Sequence, residues 1–245
     1  MDNYKNKVKV ITSTFYNLDN EVNRVRADLA ERTIRAASEK DYEVISVDGG
    51  SEEGVLRKLK EAGATIYQEE QRGMGNARRQ AIREALKRNP EAIIWTETEK
   101  VSFVDYLDSV AQPLVENEAD YVSPTRKDVS TYPEFQQITE RLGNQFWEAL
   151  TGKKMDMFFG PRAWRSELSD YFLNYRGNRW DALHVPVLKI IRDGKRIKTL
   201  ETEFIYPQEQ KKVEEGNSAE MILKRFEQLY ELSKLTIDYW NSISK

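Results

Sequence analysis

Over the first hundred residues, short apolar runs rich in β-branched side chains alternate with stretches of helical periodicity. Four of these runs have the length and composition of buried strands, and they cover residues 8–12, 42–47, 64–67 and 92–95. Strands separated by helices form βαβ units, whose right-handed crossovers make the strands parallel. The alternation therefore predicts an α/β fold with a parallel sheet.

Polar side chains lie at the ends of three of the four predicted strands. Ser13 and Thr14 follow the first strand, Asp48 ends the second, and Glu97 and Glu99 follow the fourth. In open parallel sheets, ligands bind beyond the carboxyl ends of the strands. These clusters therefore predict a polar ligand site at one edge of the sheet.

The composition excludes several classes of chemistry. The sequence has no cysteine and a single histidine, His184, which excludes disulfides, thiolate sites and histidine-rich metal sites. Carboxylates must therefore carry most of the acid–base and metal chemistry. A net charge of −3 with interspersed signs is unlike the basic footprint of a nucleic-acid-binding protein. Because the sequence shows no long apolar run and no signal peptide, we expect no membrane span and a cytoplasmic location.

The second half of the chain is less regular, and it shows no repeat or linker. Its predicted helices and strands cover residues 103–116, 121–122, 139–150, 196–206 and 217–242. Residues 178–192 are also helical in pattern, so Pro186 must either kink that helix or lie in its first turn. Asn217 and Glu220 form a capping box at the start of the last helix.

Three motifs follow one another in an order that is typical of one enzyme family. They are Asp48-Gly49-Gly50-Ser51, Arg72-Gly73-Met74-Gly75-Asn76-Ala77-Arg78-Arg79 and Glu97-Thr98-Glu99. This order resembles that of family 2 glycosyltransferases of the GT-A fold, which carry Asp-Asp-Gly-Ser, a glycine-rich segment leading into a helix, and Asp-x-Asp. The resemblance covers residues 8–100 well and extends loosely to about residue 206.

The resemblance implies a Rossmann-like, three-layer α/β/α fold with a mostly parallel central sheet. It implies one domain over residues 1–245, divided into a nucleotide-sugar-binding half (about 1–100), an acceptor half (about 101–215) and a C-terminal helix (about 216–245). The implied activity moves a sugar from a nucleoside-diphosphate sugar to an acceptor. Two positions depart from the family pattern: Gly49 replaces the second Asp of the first motif, and Glu replaces Asp in the acid pair.

The resemblance assigns the nucleobase to the end of the second strand. Asp48 is implied to accept a hydrogen bond from a base ring N–H, and Ser13, Thr14 and Phe15 are implied to line the same pocket. The alternative is that Asp48 only shapes its loop as an Asx-turn residue.

The glycine-rich segment is a candidate site for the donor diphosphate. Gly73 and Gly75 allow close backbone approach at a helix N-terminus, where amide groups favour anions. Arg78 or Arg79 can add a bidentate clamp on the diphosphate. The alternative for these arginines is a solvated basic helix face.

Glu97 and Glu99 are the candidate metal ligands, because hard oxygen donors select Mn²⁺ or Mg²⁺ and such an ion neutralises a leaving diphosphate. Lys100 is expected to pair with an acid or with a donor phosphate. The alternative is a surface loop with two solvated acids. A third ligand is missing unless Gln208, Glu209 or His184 supplies it, and a lone histidine is more often a packed residue.

The acceptor half supplies the remaining candidates. Asp156 can hydrogen-bond donor hydroxyls, and Gly160 can let the backbone approach the sugar. Asp181 falls where many inverting members of the family carry the catalytic base, with an acid in a first helical turn as the alternative. Arg126 and Lys127 can bind an acidic acceptor or belong to a solvated loop.

The sequence predicts a metal-dependent glycosyltransferase that acts on a soluble, small-molecule acceptor. Two alternatives stay open. A sugar-nucleotide pyrophosphorylase shares the sheet, but residues 12–17 lack its longer glycine-rich signature. A non-catalytic nucleotide-sugar-binding protein is compatible with the altered motifs. The apolar positions of the last helix indicate core packing or, alternatively, a homodimer interface; they are Met221, Leu223, Phe226, Leu229, Leu232 and Leu235.

Overall fold

The computed structural model describes residues 4–215 and 218–244. Within them, a seven-stranded sheet has the order β3-β2-β1-β4-β6-β5-β7. The strands are β1 Val8–Thr14, β2 Glu43–Asp48, β3 Ala64–Gln68, β4 Ala92–Trp95, β5 Tyr121–Arg126, β6 Arg162–Arg165 and β7 Ile197–Thr202. The pairs β1–β2, β1–β4, β2–β3 and β5–β7 are parallel, whereas β6 runs antiparallel to β4 and β5. The sheet is therefore mostly parallel, as predicted.

The helices connect these strands and continue beyond the sheet. They are α1 Glu21–Glu39, α2 Glu53–Glu61, α3 Met74–Leu86, α4 Leu107–Val115, α5 Glu134–Thr151, α6 Ser169–Asn174, α7 Asp181–His184, α8 Pro186–Arg192, α9 Gln208–Glu215 and α10 Ser218–Ile243. Short 3₁₀ segments precede β1, α4 and α6. The predicted capping residue Asn217 lies outside the described residues.

Helices cover both faces of the sheet, and strand β1 shows how the sequence dictates this arrangement. Alternate side chains of a strand point to opposite faces. Val10 belongs to a core that includes Ile34 of α1, whereas the next residue, Ile11, belongs to a second core that includes Ile82 of α3. The two apolar cores, one on each side of the sheet, confirm the predicted three-layer α/β/α arrangement.

The region from 178 to 192 forms two helices rather than one. Pro186 occupies the first position of α8, where its missing N–H costs no intrahelical hydrogen bond. The predicted alternative of a first-turn proline is therefore confirmed. Strand β6 and helices α6 and α9 were not predicted, because β6 has only two apolar residues between Arg162 and Arg165, and α9 is almost entirely polar.

The last helix is only partly a core element. Leu232 is buried, but the predicted core positions Leu223 and Phe226 are each 61% exposed. Other large apolar residues of α5 and α10 are also exposed, namely Ile138, Leu142, Ile222 and Tyr230. The prediction of core packing is wrong for Leu223 and Phe226, and the homodimer through this helix stays a prediction.

The topology determines where a ligand can bind. Strands β2 and β4 flank β1, so the strand order reverses between β1 and β4, and open sheets bind ligands at such a point. Because β6 is antiparallel, its first residue, Arg162, pairs with Trp95 at the carboxyl end of β4. The segment before β6 therefore reaches the same edge. The division into a nucleotide half and an acceptor half stays a prediction, as does the cytoplasmic location. None of the helices in the described ranges combines the length and apolar character of a membrane span.

Candidate active site

A cavity of about 470 Å³ opens at the carboxyl ends of β1, β2 and β4. Residues of α1, α3, α5 and α10 complete its walls. The residues predicted to bind donor or metal that line this cavity are Ser13, Thr14, Phe15, Gly73, Arg78, Glu97, Glu99 and Lys100. Polar clusters that are far apart in the sequence therefore meet in one cavity.

Glu97 lies between Lys100 and Gly160. Its Oε2 is 3.5 Å from Nζ of Lys100, and its side chain is 39% exposed. Gly160 has φ of +99°, and a Cβ added there would stand 2.5 Å from Oε2 of Glu97. Gly160 thus makes room for the Glu97 carboxylate, which corrects the expectation that its open face receives a sugar.

The ammonium group of Lys100 is surrounded by aromatic rings. Its Nζ lies 5.0 to 5.8 Å from the ring centroids of Tyr132, Phe159, Phe204 and Tyr206. Burial opposes the charge of Lys100, but Tyr132 and Glu97 outweigh this effect and raise its pKa above the ordinary value. Lys100 is therefore a fixed positive charge beside Glu97.

Glu99 is more enclosed than Glu97, with a side chain that is 19% exposed. The hydroxyl of Tyr16 donates a hydrogen bond of 3.4 Å to its Oε1, and Nε of Arg26 lies 3.9 Å from the same oxygen. Tyr16 also hydrogen-bonds the hydroxyl of Thr98. Burial and the charge of Glu99 raise the pKa of Tyr16 well above its ordinary value, so this hydroxyl stays protonated.

Glu97 and Glu99 fit a divalent metal ion by the chemistry of their donors. Both present carboxylate oxygens to the cavity, and Mn²⁺ and Mg²⁺ prefer such hard ligands. Gln208 and Glu209 do not complete the set, because Gln208 donates to the carbonyl of Tyr206 and Glu209 binds Arg32. Residues 4–215 and 218–244 hold no cluster of three or more His, Cys, Asp or Glu suited to a metal.

Arg78 is a buried cation in the cavity wall. Its guanidinium group lies 5.2 Å from the ring centroid of Trp95, and Nη1 donates to the carbonyl of Arg179 at 2.8 Å. Its buried Nε has no hydrogen-bond partner among the described residues. Burial lowers the pKa of Arg78 to about 10, although Glu97 opposes this effect, so the group remains charged at neutral pH. A buried cation with a free donor suits an anionic ligand.

The neighbouring residue Arg79 does not face the cavity. Its Nη1 donates to the carbonyls of Tyr175 and Gly177, at 3.0 and 2.7 Å. Arg72, which the sequence left without a separate role, does line the cavity. Its guanidinium group lies 5.8 Å from the ring centroid of Phe15, and it donates to the carbonyl of Gly49. Of the arginines in and beside the glycine-rich segment, Arg72 and Arg78 therefore line the cavity, whereas Arg79 does not.

Asp48 is fully buried, and the loop that follows it occupies its carboxylate. Oδ2 accepts hydrogen bonds of 2.8 Å from the amides of Gly50 and Ser51, and Oδ1 accepts from the hydroxyls of Ser51 and Thr14. Four internal donors satisfy both oxygens. This geometry contradicts direct base recognition by Asp48 and supports the alternative of an Asx-turn residue.

The two glycines at the start of α3 also differ from the prediction. The amide of Gly73 donates to Oε1 of Glu69 at 2.8 Å. This N–H group is therefore already bound to a carboxylate of the protein and is not free for a diphosphate. The amide of Gly75 donates to the carbonyl of Asn178, and a Cβ at Gly75 would stand 2.0 Å from the carbonyl oxygen of Gly177. Gly75 therefore permits close packing of α3 on the loop before α7, and it is not a diphosphate ligand here.

Asp181 faces the loop before α7 rather than the cavity. Its Oδ2 accepts a hydrogen bond from the hydroxyl of Tyr175 at 3.0 Å, and its Oδ1 accepts from the amide of Arg179 at 2.9 Å. Gly177 packs against the same carboxylate. These donors bind both oxygens to the protein's own loop, and the role of Asp181 as catalytic base stays a prediction. These contacts match the alternative of a structural acid at a helix start.

Asp156 belongs to a buried ion-pair network below the cavity. Nε and Nη2 of Arg126 donate to its two oxygens at 2.6 and 2.7 Å, and Asn144 donates a third hydrogen bond. Nη1 of Arg126 donates to Glu140 at 2.6 Å, and only 1% of the Arg126 side chain is exposed. Asp156 is therefore not free to bind donor hydroxyls. Arg126 is neither an acceptor ligand nor a solvated residue.

His184 is a core residue, as the commoner interpretation of a lone histidine predicts. Its ring packs edge-on against Trp147 and Phe158, with centroid distances of 4.9 and 5.8 Å. Burial, with the charge of Arg162, lowers the pKa of His184 to about 3. The imidazole is neutral at physiological pH.

Three cations in the cavity wall were missed by sequence reasoning. Arg26 lies on α1, and Lys224 and Arg225 lie on α10. Each occurs in a charged, amphipathic helix, so nothing in the sequence separates it from the solvated charges around it. The packing of α1 and α10 beside Glu99 brings them together.

A family model described as Glycosyl transferase family 2 matches residues 14–184, which is more than half of the chain. The chain belongs to glycosyl transferase family 2. The match runs from the end of β1 to the end of α7, and it includes the Asp48 loop, α3 and the acid pair. The predicted family and enzyme class are therefore confirmed. A comparison with curated proteins gave no match.

Solved structures share the architecture of this family 2 member. Glucosyl-3-phosphoglycerate synthase from Mycobacterium tuberculosis is 13% identical, with a TM-score of 0.63 over 96% of this chain and 80% of that chain. The same synthase with Mn²⁺, UDP and phosphoglyceric acid is 13% identical, with a TM-score of 0.59 over 91% and 78%. Another mycobacterial protein is 16% identical, with a TM-score of 0.60 over 81% and 67%. At these identities the likeness concerns the fold, and it confirms the predicted GT-A architecture.

Proposed function

We propose that this family 2 glycosyltransferase requires a divalent metal ion and transfers a sugar from a nucleoside-diphosphate sugar to a small soluble acceptor. One observation carries the proposal: the acid pair Glu97 and Glu99 meets the buried cations Arg78 and Lys100 in a single cavity at the carboxyl ends of β1 and β4. Structures of the synthase from Mycobacterium tuberculosis with Mn²⁺ and UDP, and with Mg²⁺ and UDP, support this assignment.

In this proposal the nucleoside lies beside Phe15 and Arg72. Phe15 is 59% exposed at the cavity, so its ring offers an apolar face to a base. Because Asp48 is saturated by its own loop, the side chain of Ser13 provides the polar contact with the base. The diphosphate then extends towards Arg78, whose free Nε and positive charge favour phosphate oxygens.

Glu97 and Glu99 would hold Mn²⁺ or Mg²⁺ together with the phosphate oxygens of the donor. When bound, the ion stabilises the diphosphate, which leaves with the electron pair of the broken bond to the anomeric carbon. An acceptor hydroxyl oxygen forms the new bond to that carbon, and its proton passes to the departing diphosphate, by way of water in the cavity. Arg78 and Lys100 contribute fixed positive charge on the path of the leaving diphosphate.

Membership of family 2 argues against the pyrophosphorylase alternative. A non-catalytic binding protein differs from a transferase in one measurable respect, which is turnover of the donor. A transferase slowly hydrolyses its nucleotide sugar when no acceptor is present, whereas a binding protein leaves it intact. Slow donor hydrolysis that depends on Mn²⁺ would therefore support the proposed activity.

The test is a thermal-shift and calorimetric screen of nucleoside diphosphates and their sugars, with and without Mn²⁺, on the wild type, Glu97→Gln and Glu99→Gln. We expect one nucleotide sugar to stabilise the wild type in a metal-dependent manner. Each variant should lose at least about tenfold in that affinity, because a neutral amide is a poor ligand for a hard cation. Glu118→Gln is the matched control, since Glu118 forms an exposed ion pair with Lys198 before β5. Unchanged metal-dependent affinity in both acid-pair variants would overturn the proposal.

A further inference from the structure

One side of the cavity, beside Glu99, carries three cations from two helices. Arg26 of α1 and Lys224 and Arg225 of α10 line it together, and we call them the basic wall. The arginine near the proposed nucleoside position, Arg72, makes its contacts with Phe15 and Gly49 instead. The basic wall is therefore a second cationic region of the same cavity.

Lys224 is the least compensated member of the basic wall. Its ammonium group forms no hydrogen bond or ion pair with any of the described residues. Burial lowers the pKa of Lys224 to about 8, and the charges of Arg26 and Arg225 act in the same direction. Lys224 thus faces the cavity as a partly desolvated ammonium group without a contacting counter-charge.

Arg225 is held in position mainly by neutral groups. Its Nη2 donates to the side-chain oxygen of Gln136 at 2.8 Å, and its Nη1 donates to that of Gln228 at 3.0 Å. Glu140 lies 3.9 Å away, but this carboxylate also binds Arg126 at 2.6 Å. The buried Nε of Arg225 has no partner among the described residues. The two amides therefore orient the guanidinium group without neutralising its charge.

Arg26 anchors the basic wall to the acid pair. Its Nη2 donates to Glu214 at 2.7 Å, its Nε lies 3.9 Å from Glu99, and that Nε makes no hydrogen bond with the described residues. Glu214 neutralises the charge of Arg26 by direct contact. Lys224 contacts neither Glu99 nor Glu214, and their negative charges act on it only from a distance. A metal ion held by Glu99 would neutralise that carboxylate and leave Glu214 as the remaining compensation for the charge of Lys224.

We propose that the basic wall binds an oxyanion of the acceptor, either a phosphate or a carboxylate, and that Lys224 contacts it directly. This inference rests on the proposed function, because the acceptor hydroxyl must reach a donor sugar held beside Glu99. Arg126 and Lys127 do not supply this contact, since Arg126 is locked to Asp156 and Lys127 binds Glu203 at the surface. The wall fits an acidic acceptor because it offers charge and free donors together.

Calorimetry on the full chain saturated with UDP and Mn²⁺ tests this site. The probes are sn-glycerol 3-phosphate, glycerate and uncharged glycerol, which share a hydroxylated three-carbon frame and distinguish phosphate from carboxylate. We expect at least one anion to bind and glycerol not to bind. Lys224→Met should weaken anion binding by at least about tenfold, because it removes the contacting charge and keeps the side-chain length. Lys224→Arg keeps the charge, and Lys234→Met removes an exposed charge from the same helix, so both should change the affinity by less than about threefold.

Three outcomes overturn the proposal. The first is equal anion affinity in the wild type and Lys224→Met, and the second is no binding of either anion although UDP and Mn²⁺ bind. The third is a loss of UDP affinity in Lys224→Met that is as large as its loss of anion affinity. That result would assign the basic wall to the donor diphosphate. If no nucleoside diphosphate of the screen bound to the wild type in the presence of Mn²⁺, the proposed function itself would fall, so the two failures are distinguishable. Should Lys224→Met fail to fold by circular dichroism, Arg225→Gln provides the same comparison.

Discussion

The carboxylate of Glu97 occupies the space that a side chain at Gly160 would fill. A Cβ at position 160 would stand 2.5 Å from Oε2 and 2.7 Å from Cδ of Glu97. Gly160 also has φ of +99°, a conformation that other residues rarely adopt. The position of one proposed metal ligand thus depends on the absence of a side chain in a distant part of the sequence.

Gly160→Ala should therefore displace Glu97 and weaken Mn²⁺-dependent UDP binding by at least about tenfold, measured by calorimetry. The positive φ should add about 1–2 kcal/mol of destabilisation, measured by urea unfolding. Gly152→Ala is the matched control, because Gly152 has φ of +69° and no neighbouring atom lies within 4 Å of the position that an alanine methyl group would take there. If both variants retained the same metal-dependent affinity, the coupling between Gly160 and Glu97 would be wrong.

Asp156→Asn should reduce stability and spare the donor site. Burial alone would raise the pKa of Asp156, but the ion pair with Arg126 overrides it and holds that pKa below the ordinary value. The pair therefore stabilises the fold above about pH 4 and loses this contribution as the pH falls further. We expect a loss of about 3 kcal/mol in urea unfolding at pH 7, since one partner of a buried pair is removed. A drop in UDP affinity without a loss of stability would instead support the prediction that Asp156 binds the nucleotide-sugar donor.

Asp181→Asn should leave turnover nearly unchanged. Both oxygens of Asp181 accept hydrogen bonds from Tyr175 and Arg179, so the substitution perturbs the loop before α7 rather than a proton transfer. We expect donor hydrolysis within about threefold of the wild type and a stability loss of about 1 kcal/mol. The comparison variant is Tyr175→Phe, which removes one of the same hydrogen bonds. A fall in turnover of several hundredfold in Asp181→Asn alone would return this residue to the mechanism.

His184 should remain neutral in the folded protein down to low pH. Its pKa of about 3 lies below the value of about 6.5 expected when unfolded, so the unfolded state binds the extra proton between these values. Stability from this source is complete above pH 6.5 and falls as the pH decreases, by about 2 kcal/mol at pH 5. Because the sequence has one histidine, its NMR signals can be followed without ambiguity. A midpoint near pH 6.5 in the folded protein, or the same pH dependence of unfolding in His184→Gln, would contradict this prediction.

Strands β1, β2 and β4 could be predicted because each is a largely buried run, rich in apolar residues, that ends in polar, turn-forming or charged residues. The predicted run 92–95 coincides with β4, whose four residues are all buried. Strand β6 escaped prediction because Arg162 and Arg165 carry charge into the sheet. Arg162 is nevertheless buried, since its guanidinium group donates to the backbone carbonyls of Met157, Gly160 and Leu183. A hydrophobicity pattern does not show that backbone carbonyls will accept the hydrogen bonds of a buried arginine.

Of the acidic residues that the sequence assigned to the site, only some face the cavity, because a sequence does not show which carboxylates are bound by donors inside the protein. Glu97 and Glu99 face the cavity as expected, whereas Asp48, Asp156 and Asp181 point towards donors inside the protein. For Asp48 and Asp181 some of those donors lie within three residues, namely Gly50 and Ser51 for Asp48 and Arg179 for Asp181, so the local sequence allowed the alternative. The partner of Asp156 is 30 residues away, and only the tertiary fold reveals it.

Because β6 is antiparallel to β5, the segment between these two strands leaves the sheet and returns to it at one edge. Strand β5 ends, and β6 begins, at the edge where the cavity opens, so residues 127–161 leave the sheet and return to it on the same side. This excursion carries α5, with Gln136 and Glu140, and it delivers Gly160 to Glu97. A chimera that replaced residues 127–156 would keep every strand pairing of the sheet. A chimera that also kept Tyr132, Glu140 and Asp156, which hold Lys100 and the buried Arg126, would rebuild the α5 side of the cavity on an unchanged sheet. Such a chimera offers a route to new acceptors.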